Sequence, residues 1–386
     1  MPKRNVLLDV SRLIWRLWRG RLPTGVDRVC LAYLEHFRSR SRAVVQSRGR
    51  YFILNERDSD RLFDLLACGP KGFRRGFVQL AARAFPSARR TPDENGLVYL
   101  NVGHTGLDDP SLGPWIAEAG VRAVFLIHDL IPLLYPEYCR PGEQAKHERR
   151  MVNVLQSAAG LIGNSQATLR DIGTFATARG LNVPPTVAAW IAGPSVSANL
   201  TPKRLGRPYF VTVGTIEGRK NHSLLLHVWR RLVVDDGPDA PILVIVGQRG
   251  WEAESAIAML DRADDIKNHV IEFGKCADEE LAAIISGAQA LLMPSFAEGF
   301  GLPVAEALEL RTPVIVSDLA VFREFAGDIP TYLDPLDGPA WQRAVRDFTG
   351  ESPERRRQLR RMVGYRAPNW PTHFSIVDGW IETLLQ

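Results

Sequence analysis

ALLMPSFAEGFGLPVAEALELRTPVIVSD, residues 290–318, is the stretch that decides the fold class. ALLMPS is an apolar run closed by turn residues, and TPVIVSD is a second one, so both read as buried strands. Between them, LPVAEALEL spaces its apolar residues as a helix does. Strand, helix and strand in such close order imply a parallel sheet covered on both faces. The turn raises a question of charge. Pro303 suits the first helical position, which leaves the amides of Gly299, Phe300, Gly301 and Leu302 at the positive end of a helix. That is a ready anion site. Yet Glu298 and Glu306 flank it, and carboxylates repel anions.

A ligand with a sugar at each end of a diphosphate would answer the question. Glu306, about one turn into the helix, accepts hydrogen bonds from a vicinal diol such as a ribose. Glu298, before the turn, reaches the opposite end of the same ligand. Taken singly, each glutamate reads better as a helix-start carboxylate favoured by the dipole.

The same alternation runs along the chain. NVLLDV, LVYLNV (97–102), VRAVFLIHD (121–129) and GLIGNS (160–165) read as strands, with helical patterns such as DRVCLAYLEHF and QATLRDIGTFA after them. SANLTPKRLGRP has no apolar period and holds prolines, a glycine and basic residues, so it reads as a linker. Beyond it come YFVTVG (209–214), PILVIVG (241–247) and HVIEFG (269–274) as strands, with NHSLLLHVWRRLV and DEELAAIISGA as helices. The expected architecture is α/β: two Rossmann-like domains facing a cleft. They span 1–200, with a tail at 368–386 crossing back, and 205–367. In open parallel sheets the ligand lies beyond the carboxyl ends of the strands, so the loops after strands carry the chemistry.

Gly214 and Thr215 open GTIEGRKNH, where Gly214 permits a tight turn and Arg219 and Lys220 are placed to meet a phosphate. An adjacent basic pair is also a common solvated surface feature. His128 and Asp129 end a strand. His128 could bond a sugar hydroxyl, or equally a local carbonyl. Asn164 and Ser165 end the next strand, and Ser165 reads as a helix N-cap.

After the first strand, SRLIWRLWRGRLPTGVDRVC reads as a long loop, with Gly25 and Arg28 opening the next helix. Trp15 and Trp18 interleave there with Arg12, Arg16, Arg19 and Arg21. That mixture suits a membrane interface, a phosphate-bearing partner or stacking on nucleic acid, and equally a loop folded onto its own domain. PKGFRRGFVQLAARAFPSARR (70–90) holds six Lys/Arg and no acid. It reads as an interfacial amphipathic helix or as a solvated helix covering a sheet edge.

The chain has 386 residues, 45% hydrophobic and 24% charged, with a net charge of +5. Residues 1–200 carry 27 Lys/Arg against 17 Asp/Glu, while residues 201–386 carry 21 against 26. The N-terminal half is therefore the one suited to an anionic partner. No apolar run is long enough to span a bilayer. MPKRNVLLDVSRL is basic and then apolar, but its run VLL is short and Asp9 interrupts it, so it does not read as a signal peptide. The expected location is the cytoplasm, with peripheral contact at the inner membrane through the basic half. The four cysteines, at 30, 68, 139 and 276, lack metal or redox spacing and read as free thiols.

With these segments gathered, the chain resembles retaining glycosyltransferases of family 4, which have the GT-B fold. The resemblance is strongest over PSFAEGFGLPVAEALELRTPVIVSD, with seven residues between Glu298 and Glu306. VGTIEGRKNH, LVIVGQRGW, FGKCADEELAAIISGAQALLMPS, IHDLIPLLYPE and GNSQATLRD match in order. It implies that Arg219 and Lys220 bind the donor diphosphate in place of a metal, and that Glu306 binds the ribose. Glu298 and the amides of Phe300, Gly301 and Leu302 would hold the donor sugar and phosphate. His128 would contact the transferred sugar, Gly25 would lie near the phosphates, and Cys276 would line the base pocket. No cofactor or metal is expected. One departure is Leu310-Arg311, which stands where the family has a glycine turn. LPTGVDRV is similar to the subgroup that builds bacterial surface polysaccharides, which makes GDP-mannose the first guess for the donor, with UDP-glucose and UDP-GlcNAc close behind. An oligosaccharide or lipid-linked acceptor is expected, and no nucleic acid. Two rival readings stay open: another GT-B enzyme, such as a sugar-nucleotide epimerase or a phosphorylase, and a non-catalytic basic protein that binds anionic polymer.

Overall fold

The computed structural model describes residues 4–20, 25–94, 96–194 and 200–385. The chain divides into two compact units. One comprises Met1–Leu130, Gln144–Ile191 and Asn369–Gln386, and the other comprises Ile131–Glu143 and Ala192–Pro368.

The first unit holds seven strands: β1 (Val6–Asp9), β2 (Ser41–Ser47), β3 (Arg50–Ile53), β4 (Val98–Asn101), β5 (Arg122–Ile127), β6 (Gly160–Gly163) and β7 (Thr186–Ala188). Their order is β3-β2-β1-β4-β5-β6-β7. Neighbours pair in parallel, except β2 and β3, which form an antiparallel hairpin. Arg48 and Gly49 turn that hairpin with φ of 50° and 71°, the left-handed geometry that suits the strand twist.

The segment after β1, expected as a long loop, is instead a helix over Ser11–Trp18. Leu13 and Ile14 are buried beneath it. Arg12 and Arg16, one turn apart, both grip the buried Asp27, at 2.7 and 2.9 Å. Arg21 lies outside the described residues.

The basic stretch at 70–90 forms a helix over Phe73–Ala84. Phe73, Leu80 and Ala84 are buried. Gly76 lets the helix close on its neighbour, since a Cβ there would lie 2.6 Å from Leu65 Cδ2. Most of its apolar stripe therefore covers its own unit. The C-terminal helix, Trp370–Leu385, also packs in this unit. Gly160 on β6 makes room for it, because a Cβ there would lie 2.6 Å from the Trp380 ring. The Tyr33 hydroxyl and His373 Nε2 are hydrogen-bonded at 2.8 Å.

The second unit holds β8 (Tyr209–Val213), β9 (Ile242–Val246), β10 (Val270–Phe273), β11 (Leu291–Met293), β12 (Val314–Ser317) and β13 (Thr331–Leu333). All neighbours are parallel, in the order β10-β9-β8-β11-β12-β13. Phe210, Trp229, Leu243, Ile245, Leu292, Ile315, Trp341 and Phe348 fill its core. The two tryptophans keep their polar atoms paired: Trp229 donates to the Pro241 carbonyl at 2.8 Å, and Trp341 to that of Asp334 at 2.9 Å. The order reverses between β8 and β11. Successive connections leave these two strands in opposite directions, which opens a crevice at their carboxyl ends.

Two segments differ from their expected places. Ile131–Glu143, which falls in the first half of the chain, belongs to the second unit. Tyr138 there stacks on Phe296, with ring centroids 5.2 Å apart, and Arg140 lies over Trp251 at 4.8 Å. The described part of the expected linker, residues 200–208, is bound to the same unit. The Lys203 amide donates to the Ala283 carbonyl at 2.8 Å, and Arg207 donates to the Pro238 and Asn268 carbonyls. Residues 197–199 of that stretch lie outside the described residues.

Arg311 takes a left-handed backbone conformation that favours glycine, with φ of 60°. That conformation costs a non-glycine residue roughly 1–2 kcal/mol. The guanidinium compensates by donating to the Met362 carbonyl. Among the described residues no helix is long and apolar enough to cross a membrane.

Candidate active site

The crevice of the second unit is lined by the loops after β8 and β11. The loop after β8 begins at Gly214, whose amide donates to the Val246 carbonyl at 2.9 Å. Gly247, after β9, presses against it: a Cβ there would lie 1.8 Å from the Gly214 carbonyl oxygen. Only a residue without a side chain lets the two strand ends approach so closely. Thr215 follows, and its methyl group packs where a Cβ on Gly250 would lie 2.6 Å away. A 3-10 turn over Gly218–Lys220 then brings Arg219 and Lys220 to the crevice.

Both cations meet the carboxylate that follows β11. Lys220 Nζ lies 2.5 Å from Glu298 Oε1, and Arg219 Nη1 donates to Glu298 Oε2 at 2.9 Å. Arg219 also donates to the Ala297 carbonyl at 2.9 Å, and its Nη2 lies 2.7 Å from Glu217 Oε1. The Ser295 hydroxyl donates to Glu298 Oε1 at 2.7 Å. The backbone closes the same join, with the Phe296 amide donating to the Arg219 carbonyl at 2.8 Å. Two cations and two carboxylates thus form one cluster at the switch point. The side chains of Glu217 and Glu298 are 4% and 5% exposed.

Such burial sets the protonation states. Burial opposes ionisation of Glu298, but the Lys220 ammonium, the Arg219 guanidinium and the Ser295 hydroxyl outweigh it and hold the carboxyl down at about 2. Burial lowers the Lys220 pKa, against the pull of Glu298. Burial raises that of Glu217, against the pull of Arg219 and Lys220. His222, next in the chain after Asn221, is buried and held neutral, down at about 4, by burial and by the Lys220 charge.

The helix after the glycine turn runs over Leu302–Glu309, capped by Gly301 at φ 95°. A Cβ on Gly301 would lie 2.3 Å from the Phe322 ring, so that position also requires glycine. The Phe300 side chain is buried and stacks on Phe325 at 4.9 Å, which leaves its backbone to face the turn. The first amides of a helix have no acceptor within it; here they are those of Gly301 and Leu302, and the Phe300 amide directly precedes them. Pro303 stands second in the helix. Glu306 is half-buried one turn on, with Oε1 2.6 Å from where a Cβ on Gly193 would sit. Cys276 follows β10, two strands from β8; burial, with Glu280 nearby, pushes its thiol up to about 11.

The structure therefore brings Gly214, Thr215, Arg219, Lys220, Glu298 and the Phe300–Leu302 turn to one crevice, with Glu306 on the helix that follows. Gly25 and His128 belong to the other unit. Gly25 begins the helix Gly25–Phe37. His128 is buried after β5 and its Nε2 donates to the Val102 carbonyl at 2.9 Å; burial lowers it to about 4. That carbonyl is one of the two partners expected for it. Ser165 caps the helix Gln166–Arg179 by accepting from the Thr168 amide, and Asn164 donates to the His128 carbonyl at 2.8 Å. Nothing in the sequence singles out Glu217 and Ser295. The signal for them is charge balance: two adjacent cations taken out of water require carboxylates beside them.

Residues 199–361 match the family of glycosyl transferases group 1. The serotype-specific mannosyltransferase WbdA of Escherichia coli is 30% identical over 234 residues, which is 55% of this chain and 28% of that protein. The O-antigen chain mannosyltransferase RfbU of Salmonella typhimurium is 29% identical over 225 residues, 58% of this chain and 59% of the relative. The match thus spans under two thirds of the length of either relative. Among solved structures, HepE of Anabaena in complex with UDP-glucose aligns with a TM-score of 0.67 at 14% identity, covering 98% of this chain and 99% of that one. That likeness is one of fold.

The ion cluster makes a prediction about pH. A carboxyl held at about 2 in the folded state, below its unfolded value of about 4.3, stabilises the fold above the unfolded value. The contribution, on the order of 3 kcal/mol by linkage, is lost as pH falls from about 4.3 to about 2. Glu298→Gln should therefore lose about 3–5 kcal/mol at neutral pH, because it leaves Lys220 buried beside a neutral group. Its stability should also vary less than the wild type's over that acid window. Urea unfolding at a series of pH values measures both. Equal stability of the two proteins at pH 7 would contradict the cluster.

Proposed function

Since residues 199–361 are a glycosyl transferases group 1 domain in a chain of GT-B fold, we propose that this protein is a retaining glycosyltransferase. It moves a hexose from a nucleotide diphosphate sugar to a hydroxyl of an oligosaccharide or lipid-linked acceptor in surface polysaccharide synthesis. The observation that carries this reading is the convergence of Arg219, Lys220 and Glu298 at the switch point, beside the amides of Phe300–Leu302. Mannose from GDP-mannose is the preferred donor, because the relatives are named as mannosyltransferases. UDP-glucose is the alternative, being the ligand of HepE.

In this reading the bond between the sugar C1 and the diphosphate oxygen breaks, and the pair of electrons leaves with the diphosphate. The acceptor oxygen bonds C1 from the same face, and its proton passes to the departing diphosphate oxygen. Arg219, Lys220 and the helix amides hold the charge that builds there, each well-placed donor contributing roughly 3 kcal/mol. Glu298 holds the donor sugar and Glu306 the ribose. Cys276 lines the base pocket, His128 contacts the transferred sugar and Gly25 approaches the phosphates. The two cations supply the charge that a divalent metal supplies elsewhere.

Thermal denaturation with GDP, UDP, ADP and dTDP, with and without EDTA, tests the site. A ligand that binds only the folded state raises the melting temperature by mass action. One nucleotide should raise it selectively, the rise should survive EDTA, and Arg219→Ala or Glu306→Ala should abolish it. A folded protein that responds to none of the four would sink the proposal in favour of an anionic-polymer binder. Analysis of the products separates transfer from epimerisation or phosphorolysis.

The first unit supports a membrane contact in the same proposal. Trp15 and Trp18 are 44% and 42% exposed. Arg19 lies 4.4 Å over the Trp15 ring and Arg74 lies 5.9 Å over that of Trp18. Tryptophan capped by arginine suits the headgroup layer of an anionic membrane. Sedimentation with phosphatidylglycerol vesicles at 0.1 M salt should carry the protein down, and a Trp15→Ala/Trp18→Ala double variant should stay in solution. Equal sedimentation of both would contradict the contact.

A further inference from the structure

The segment Ile131–Glu143 lies against both loops of the ion cluster. Tyr138 stacks face to face on Phe296, with centroids 5.2 Å apart and planes 4° from parallel. Phe296 stands two residues before Glu298. Tyr138 also covers Gly218, the residue before Arg219: a Cβ on Gly218 would lie 3.3 Å from Tyr138 Cδ1. Tyr135 continues the row, 6.2 Å from Tyr138 and at 29° to it. The row ends in water, since Tyr135 is 38% exposed and the neighbouring Leu134 45%.

Packing accounts for the inner part of this row. Phe296 and Tyr138 fasten the segment to the unit. It does not account for Tyr135, which ends the row partly exposed. A column of stacked rings that begins at the loops of the charge cluster and ends in a partly exposed tyrosine matches one ligand shape well. A pyranose has an apolar face of C–H groups and a rim of hydroxyls. Burying that face on an aromatic ring gains the apolar area, while the rim stays hydrogen-bonded to water or to polar neighbours. Polar groups on the same segment include the Tyr135 and Tyr138 hydroxyls, Glu137 and Arg140.

We propose that Tyr135, backed by Tyr138, forms a stacking subsite for a neutral pyranose of the acceptor glycan, which leads it to the loops that carry Arg219 and Glu298. This proposal rests on the glycosyltransferase reading for the identity of the glycan as acceptor, but the binding itself is measurable without turnover.

The test uses the full-length protein and α-mannotriose as the probe, with binding read by saturation-transfer NMR and titration. The wild type should bind. Tyr135→Ala should weaken binding about five- to tenfold, as loss of one stacked ring implies, in a protein that still unfolds cooperatively and binds nucleotide. Tyr138→Phe keeps the ring and should bind within about twofold of wild type. Nucleotide affinity, titrated separately, should be the same in all three proteins. Wild-type and Tyr135→Ala proteins with equal mannotriose affinity would overturn the subsite. So would a wild type that binds nucleotide but no mannotriose at millimolar concentration, and that result would leave the donor site standing. Mannotriose binding that follows the tyrosines while no nucleotide binds would keep the subsite and remove the reading on which its acceptor role rests. Retention on phosphatidylglycerol vesicles through Tyr135, without glycan binding, would overturn it in favour of a lipid surface.

Discussion

The second unit is organised around a buried carboxylate shared by two cations. Glu298 accepts from Lys220 and Arg219 at once, and Ser295 and Glu217 complete the set. Lys220 would not stay buried alone, because the desolvation of an unpaired charge exceeds what local packing returns. The cluster therefore fixes the loop after β8 to the loop after β11, and the Phe296–Arg219 backbone bond repeats that join. It also sets the terms for an incoming anion. The four charged groups sum to zero, so a diphosphate meets cations that already have partners. Under the proposed function, Glu298 yields part of its hold on Lys220 and Arg219 to the phosphates and turns to the sugar.

The position of the cluster follows from strand order. A doubly wound sheet has one place where neighbouring connections part, here between β8 and β11. Close approach at that place needs residues without side chains, which is why Gly214, Gly247 and Gly301 stand where they do. The rest of the unit supplies rigidity. Phe300 is anchored on Phe325, so the glycine turn presents backbone and not side chain. Ile131–Glu143 lies over the same loops through Tyr138, adding an aromatic surface to a charged one.

Much of this was legible in the sequence, for reasons that differ by element. PILVIVG and NVLLDV announce buried strands because a strand covered on both faces is apolar throughout. SRAVVQSRGRYFIL hides a hairpin, because its turn is Arg48-Gly49 and not an asparagine–glycine pair. The Ser11–Trp18 helix was hidden too. Its arginines look like loop residues until Asp27, in the next helix, is seen to bind two of them. Arg219, Lys220 and Glu298 were legible because they follow strands. Their mutual pairing was not, since it spans 78 and 79 residues of chain. For the same reason Val102, 26 residues before His128, could not be identified as its partner. Pairings of that span are fixed by sheet order, which periodicity alone does not give.

Under the proposed function, Arg219 and Lys220 form a diphosphate site that Glu298 occupies when the ligand is absent. The most direct measurement is calorimetric titration of the donor nucleoside diphosphate into wild type, Arg219→Ala and Glu298→Gln. The proposed site predicts that Arg219→Ala weakens binding by about 10- to 100-fold, the loss of one charge-assisted bidentate contact. It predicts that Glu298→Gln, shown to be folded under the same conditions, binds the diphosphate as tightly as wild type or more tightly, because a competitor has been removed. Wild-type affinity in Arg219→Ala, or weaker binding in folded Glu298→Gln than in Arg219→Ala, would contradict it.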